Sequence, residues 1–452
     1  MTTYTIKKGF DIRLTGAAQP RMDQAPEPAT VRVSALEFPG LKPKPVVAEG
    51  DAVRTGDRLF FDKSDSDTAL LSPATGKVTK VELGARRALQ WIEIAVDSAD
   101  RFAEVPTVTV DQLSSLGRDE LIRRLKGSGL WPLLRQRPIG RLCDASKTPS
   151  AIYVNGMDTE PLAADPAVAC LGRGAELQAG IDVLRALTDG KVYLTVAAGR
   201  TPPDEFRNLR GVEVRGFAGP HPAGLVGTHI SRIAPLGEGE VAWFLKVQEA
   251  ALIGAWVRDG RYPAVRTVAV AGSRAPTQQY YRVRQGAALS VLTGGNPVTG
   301  DVRVINGTVL NGVKVAPDGY LGFYANTVTL IPEGGDTRDM FGWGLPGFGK
   351  LSASRSVFSW LTPKPAYDLD ARLNGGVRPI VNIGSWDRVM PLDIYPTYLV
   401  RAIQAGDVEE ALKLGLLEVT EEDVALCTFV DHCKIEVGDI IRKGLDMYEK
   451  EA

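Results

Sequence analysis

The chain has 452 residues, 44% of them hydrophobic and 24% charged, which is ordinary globular material for roughly three or four domains of ~100–200 residues. Its 53 basic and 54 acidic side chains leave a net charge of −1, with no basic run of five or more residues, so nucleic acid is excluded as an expected partner. Four scattered cysteines (Cys143, Cys170, Cys427, Cys433) are too few for a disulfide framework and fit a reducing compartment.

The opening stretch MTTYTIKKGFDIRL has no apolar core of the secretory-signal kind and alternates as a strand does. From residue 1 to about 100, short alternating runs broken by glycine (TVRVSAL, KPVVAEG, DRLFF, GKVTKVEL, WIEIAV) predict the strands of a small barrel or sandwich. Inside this region VRTGDRL and SPATGKV match the flanks of the hairpin that presents a modified lysine in biotinyl and lipoyl domains. Between them, however, the turn reads DKSDSD. Lys63 follows Leu59 too closely, and neither the lysine–methionine nor the aspartate–lysine–alanine signature is present, so a barrel without a carrier lysine is expected.

The pattern then changes. SSLGRDELIRRLKGSGLW places Leu121, Ile122 and Leu125 on one helical face. SAIYVNG, GAELQAGIDVLRALTDG, KVYLTVAAG and GVEVRGF follow, and then an apolar run from Val241 to Val257 reads as a buried helix. That run is broken by Lys246, Gln248 and Glu249 and is shorter than the ~20 residues needed to cross a bilayer. In the second piece Leu177, Ile181, Leu184 and Leu187 recur at helical spacing, with Gly190 as the expected stop. Strand and helix in alternation predict an α/β sheet over residues 101–258. Gly172 and Gly174 in CLGRGAELQAG resemble part of a dinucleotide fingerprint, but Leu177 stands where the third glycine belongs and ADPAVAC is a poor preceding strand. A plain helix N-terminus is the better reading.

RTVAVAGSR, QYYRVRQG, ALSVLTGG, GTVLNG and TVTLIPEGG predict a β-rich module over 259–333. The glycine- and aromatic-rich stretch Gly334 to Ser356 supports two readings, a functional contact loop or a loop packed on its own chain. Within 334–452 the tail reads as short helices: YPTYLVRAIQAG, DVEEALKLG, TEEDVALCTFV and VGDIIRKGLDMYEKEA. Asp407 with Glu410, and Thr420 with Asp423, have capping-box spacing.

Few residues point to catalysis. His221 and His229, eight apart, and His432 in DHCK lack zinc spacing, Cys427 and Cys433 lack that of an iron–sulfur cluster, and no nucleophile elbow or Ser-His-Asp pattern is visible. No catalytic or metal-binding residue is therefore expected. A quinone needs an apolar slot with aromatic walls and one or two donors for its carbonyl oxygens. LEFPGLKPKP, with Phe38, Gly40 and Leu41, and GLWPLLRQRPIG, with Trp131, Arg135 and Arg137, could line one. Both segments would serve equally as interface loops.

Taken in order, IKKGFDI, EGDAVRTGDRLFFDK, SPATGKV, NGMDTEPLAADP, GPHPAGLVGTHI and the ending EEDVALCTFVDHCKIEVGDIIRKGLDMYEKE resemble the NqrA family, one of the subunit families of sodium-translocating NADH:quinone oxidoreductases. The resemblance implies a multidomain α/β and β fold: a barrel-sandwich hybrid over 1–100 without a carrier lysine, a Rossmann-like domain over 101–258, a soluble-ligand-binding β-grasp (SLBB-type) module over 259–333, and the C-terminal helical domain. It implies a peripheral subunit on the cytoplasmic side of a bacterial inner membrane, with subunits B to F as partners, chiefly the quinone-binding membrane subunit. That complex reduces ubiquinone to ubiquinol with electrons from NADH and exports Na⁺, as a translocase. The family is similar in fold to the NADH- and FMN-binding subunit of complex I, with the flavin site and cluster cysteines lost. The chain is thus expected to carry no cofactor and to be non-catalytic in isolation, with ubiquinone as its possible ligand. The alternatives are an FMN- or NADH-binding dehydrogenase on this scaffold and a purely structural adaptor. One departure from the family pattern is the turn Asp431 to Lys434, DHCK where a C-P-G-K type of turn belongs.

Overall fold

The computed structural model describes residues 1–294, 299–335, 346–355, 357–362, 364–381 and 383–451. Near the N-terminus, alternation of buried and exposed residues produces two facing sheets. Thr30–Ser34, Leu89–Val96, Gly76–Leu83 and Ala52–Val53 form one; Pro43–Pro45, Arg58–Asp62 and Asp65–Leu71 form the other. Val31, Leu59, Phe60, Ile92 and Ile94 fill the space between them. Lys63 and Ser64 make the hairpin tip, where Asp62 Oδ1 accepts from the Ser64 backbone N–H at 2.9 Å. Asp65 then pairs with Lys126 Nζ at 2.7 Å, which fastens the hairpin to the helix Arg118–Gly127. A swinging arm needs a free hairpin, and this one is braced on its neighbour.

The first residues do not join the barrel. Thr2–Thr5 pairs in parallel with Glu213–Ala218, and Met22–Gln24 with Gln279–Arg284, so this segment stitches together two other sheets. Alternation identifies a strand by its faces, whereas its partner is set by contacts far away in sequence.

The α/β region contains β1 (Ala151–Asn155), α1 (Gly174–Arg185), β2 (Lys191–Ala197), β3 (Glu213–Ala218), β4 (Ala242–Lys246) and α2 (Val247–Asp259). Across the sheet the order is Thr2–Thr5, β3, β2, β1, β4, Arg135–Arg137, Arg141–Leu142. β1 to β4 run parallel, and Arg135–Arg137 runs antiparallel to β4. The chain moves outward from β1 to β3 and then returns to place β4 on the other side of β1. This is a doubly wound sheet with its topological switch between β1 and β4. The periodic residues Leu177, Ile181 and Leu184 of α1, and Leu187 just past its end, are fully buried, as the spacing predicts. The helix stops at Arg185, not at Gly190; Gly190 lies where any side chain would meet the Ser150 carbonyl oxygen at 1.9 Å.

The expected single helix from Val241 to Val257 is a strand and a helix. AWFL is apolar on every side because β4 is buried on both faces of a central position, and such a run carries no period by which to distinguish strand from helix. The polar interruptions mark the boundary: the Lys246 backbone N–H donates to Glu249 Oε2 at 2.7 Å, which starts α2. α1 and α2 touch backbone to backbone at Gly180 and Gly254; a Cβ on Gly254 would lie 1.6 Å from the Glu176 carbonyl oxygen.

The β-grasp module is a six-stranded sheet ordered Val313–Val315, Arg303–Asn306, Thr327–Ile331, Val265–Ala271, Gln279–Arg284, Met22–Gln24. Two of the segments expected to supply its strands and turns are turns. ALSVLTGG forms a 3₁₀ turn at Leu289–Leu292, and GTVLNG is the turn between Arg303–Asn306 and Val313–Val315, with Gly307 at φ +115°. The tail holds helices Pro396–Ala405, Val408–Lys413, α3 (Glu421–Val430) and Val437–Glu451. Asp407 Oδ1 accepts from the Glu410 N–H, and Asp423 Oδ2 from the Thr420 N–H, each at 2.9 Å. Of the stretch 334–356, residues 336–345 and 356 lie outside the described residues.

Candidate functional site

In doubly wound sheets ligands bind beyond the C-terminal ends of the strands at the switch point. Here that crevice lies between Asn155 of β1 and Lys246 of β4, and the chain's own loops occupy it. Asn155 Nδ2 donates to the Gly224 carbonyl at 2.8 Å, while Thr159 Oγ1 accepts from the Gly224 N–H at 2.9 Å and lies 3.1 Å from His221 Nδ1. The segment GPHPAGLVGTHI thus plugs the crevice. Burial pushes His221 down to about 4 and His229 to about 3, so both rings are neutral at physiological pH.

The remaining lining is charged. Lys246 Nζ lies 3.5 Å from Asp158 Oδ2. Burial alone would lower the lysine, but Asp158, Glu160 and Glu249 outweigh it and hold its pKa above the usual value. Glu160 accepts from the Thr308 hydroxyl and from Asn311 Nδ2; burial first and Asp158 second raise its carboxyl to about 7. A phosphate placed there would face Asp158, Glu160 and Glu249. The glycine turn before α1 is equally unsuited to a pyrophosphate, because it follows the short helix Pro166–Ala169 and its Gly172 N–H is taken by Glu205 Oε1 at 2.8 Å. These donors and charges do not fit a dinucleotide or flavin phosphate.

Beside the crevice, the two segments singled out for a quinone meet at one junction. Tyr324 joins them: its hydroxyl donates to the Pro132 carbonyl at 2.7 Å, and its ring lies edge-on to Phe38 at 5.9 Å. Arg135 is held between two rings, its guanidinium carbon 4.6 Å from the Phe244 centroid and 5.1 Å from that of Tyr324. Its Nε is buried and has no hydrogen-bond partner. Phe38 is 2% exposed in the barrel core, and Trp131, also 2% exposed, lies edge-on to Trp243 at 5.3 Å in the α/β core. Both rings are therefore committed to packing. Leu41 is half-buried and Gly40 is exposed. Gly40 has φ +89°, and a Cβ on it would lie 2.9 Å from Arg141 Nη1, whose guanidinium pairs with Asp446 and Glu449 of the last helix.

Arg137 faces the tail instead. It is 3% exposed, and its guanidinium donates to Asp423 Oδ2 at 2.6 Å and to Glu422 Oε1 at 2.7 Å, at the start of α3. Burial raises the Asp423 carboxyl despite Arg137, whereas for Glu422 burial is outweighed by Arg137 and Arg135 and its pKa falls. The unusual DHCK turn is built on its own acid: Asp431 Oδ2 accepts from the Ile435 N–H at 3.0 Å, and Lys434 takes φ +59°.

Sequence reasoning missed Asp158, Glu160, Lys246, Glu422, Asp423 and Tyr324. Lys246 was visible only as an interruption of an apolar run, and Asp158 and Glu160 only as letters in NGMDTEPLAADP. Among the described residues, no group of three or more His, Cys, Asp or Glu could hold a metal ion.

Three family models match the chain: the NqrA N-terminal barrel-sandwich hybrid domain at residues 4–97, the NqrA second alpha/beta domain at 116–262, and the NQRA C-terminal domain at 267–316. The corresponding subunit of the Na(+)-translocating NADH-quinone reductase of Pasteurella multocida is 39% identical over 448 residues, with 99% of each chain covered. The protein of the same name from Neisseria meningitidis serogroup B is 39% identical over 447 residues, again with 99% of each covered. That of Rhodopirellula baltica is 37% identical over 453 aligned positions, covering 99% of this chain and 98% of the relative.

Proposed function

The chain belongs to the NqrA family of Na⁺-translocating NADH-quinone reductase subunits, and from that premise we propose that it works as a cofactor-free positioning subunit of such a complex. In this reading it lies peripherally on the cytoplasmic side of the bacterial inner membrane. It docks on subunits among B to F, chiefly the quinone-binding membrane subunit, while the assembled complex reduces ubiquinone with electrons from NADH and exports Na⁺. Consistent with a peripheral place, no helix among the described residues is long and apolar enough to cross a membrane.

The observation that carries the cofactor-free reading is the plugged crevice. Asp158, Glu160 and Glu249 stand where a nucleotide's phosphates would need donors. The alternative, an FMN- or NADH-binding dehydrogenase on this scaffold, would have to displace the 219–230 segment and bury anions against carboxylates.

For ubiquinone, the junction offers Arg135 Nε, a buried donor without a hydrogen-bond partner, between the rings of Phe244 and Tyr324. A quinone carbonyl is the kind of acceptor that would satisfy it. Phe38, Trp131 and Arg137 then act behind this contact by holding the loops in place, with Gly40 allowing the turn.

Purification of the tagged chain from membranes tests the first part. Co-purification of membrane subunits, with no flavin absorbance in the chain after their removal, is expected, and a persistently yellow chain overturns the reading. Arg135→Lys in the assembled complex tests the second. It removes the Nε donor, so the KM for ubiquinone should rise with kcat little changed, and unchanged kinetics would remove the junction from the quinone path.

A further inference from the structure

The described residues of 346–364 follow the β-grasp module in the chain, with Leu351 packed against the core of the tail helices. The Phe358 N–H donates to the Pro346 carbonyl at 2.8 Å and closes the loop. The Phe348 and Phe358 rings lie 6.3 Å apart, and the 3₁₀ turn Phe358–Trp360 carries Phe358, Trp360 and Leu361 outward, 51%, 51% and 54% exposed. These side chains are part of a concentration: of 21 large hydrophobic residues left exposed among the described residues, ten fall between 348 and 398. Aromatic side chains gathered in this way, where water meets them, mark a contact surface.

The charge of the segment says what it contacts. Lys350, Arg355 and Lys364 are exposed, and 346–364 contains no Asp or Glu, so the segment is +3 in a chain whose total is −1. Lys364 Nζ is 3.6 Å from the Cβ position of Gly349, the residue after Phe348 in sequence. Exposed Phe and Trp interleaved with Lys and Arg need apolar material and negative charge within a few ångströms of each other. The headgroup zone of an anionic bilayer supplies both, with acyl chains below a layer of phosphates, and Trp is enriched at that depth.

We propose that residues 346–364 are a membrane-contact element. The tip formed by Phe358, Trp360 and Leu361 enters the headgroup zone of an anionic phospholipid bilayer, and Arg355 and Lys364 face lipid phosphates. This rests on the peripheral-subunit reading only in requiring a bilayer within reach. Its test uses the purified full chain without other subunits, so failure here and failure of co-purification are separate results.

Vesicle sedimentation decides it. The chain should pellet with vesicles of mixed phosphatidylcholine and phosphatidylglycerol, but not with phosphatidylcholine alone, and high salt should release it. R355Q and K364Q should each weaken the partition by about fivefold, the worth of one basic residue near such a surface. Trp360 fluorescence gives a second readout in which folding is not at stake: anionic vesicles should shift the emission to the blue, and W360F should lose that shift while keeping the parent's thermal unfolding. Equal binding to both vesicle types, no binding to either, or an R355Q/K364Q double variant that binds as the parent does would overturn the proposal. So would binding only to vesicles that contain the membrane subunits, which would assign the segment to a protein partner.

Discussion

The crevice beyond β1 and β4 and the segment 346–364 treat charge in opposite ways. In and next to the crevice, charged groups are answered from within: Lys246 by Asp158 and Glu160 by Thr308 and Asn311 inside it, and Arg137 by Glu422 and Asp423 where the α/β sheet meets the tail. On the segment, three cations and several aromatic rings are turned outward. The comparison teaches where this fold has moved its working surface. The place where doubly wound sheets keep a ligand has become a structural lock between the α/β domain and the tail, and surface for contact has appeared in the C-terminal third.

If the crevice is a lock, breaking it should have the largest effect. Arg137→Ala leaves the buried Asp423 beside Glu422 without the guanidinium that pairs with both, a class of change that costs about 3–5 kcal/mol. Urea unfolding followed by circular dichroism should show the loss, with the tail helices released first. A loss no larger than that of an exposed arginine would mean the pair is not structural.

Gly254→Ala comes next. Its new Cβ falls 1.6 Å from the Glu176 carbonyl oxygen, so α1 and α2 must separate. Overpacking of this kind costs about 1–3 kcal/mol, and a lowered Tm would report it. Because this contact lies within the α/β layer, the tail helices should unfold together with the rest and not ahead of it.

Glu160→Gln has the opposite sign. The folded carboxyl titrates at about 7 and the unfolded one near 4.5, chiefly because burial disfavours its charge. Between those values the folded chain holds a proton that the unfolded chain has released, so stability from this group is present below about 4.5 and falls as the pH rises toward 7. Glutamine removes that slope and keeps an acceptor for Thr308 and Asn311. The variant should therefore match the parent near pH 4 and exceed it at pH 8 by at least about 1 kcal/mol, since each tenfold change in proton affinity is worth ~1.4 kcal/mol. A stability difference independent of pH would show that Glu160 does not titrate in this window.

These sites also show what the sequence can and cannot express. Leu177, Ile181, Leu184 and Leu187 were legible because a helix buries one face at a period that the sequence carries. The boundary between β4 and α2 was not, since a strand buried on both faces leaves an unbroken apolar run. The two segments proposed for quinone contact were singled out by composition, as aromatics beside basic residues. What completes their junction, Phe244 and Tyr324 around Arg135, comes from distant parts of the chain and has no local signal. The lock is illegible for the same reason: Arg137 and Asp423 are 286 residues apart.

The smallest effect on stability should come from the 346–364 segment, and that smallness is informative. Trp360 is half-exposed in a single 3₁₀ turn, and substitutions at such positions away from caps and cores usually change stability by about 0.5 kcal/mol or less. Trp360→Ala should therefore leave the Tm of the isolated chain nearly unchanged. A ring of this size left half in water, with no structural consequence when removed, is kept for something outside the chain. If Trp360→Ala instead lowered the Tm as far as Gly254→Ala does, the ring would be a packing element, and the contrast between a closed crevice and an outward-facing tip would fail at its second half.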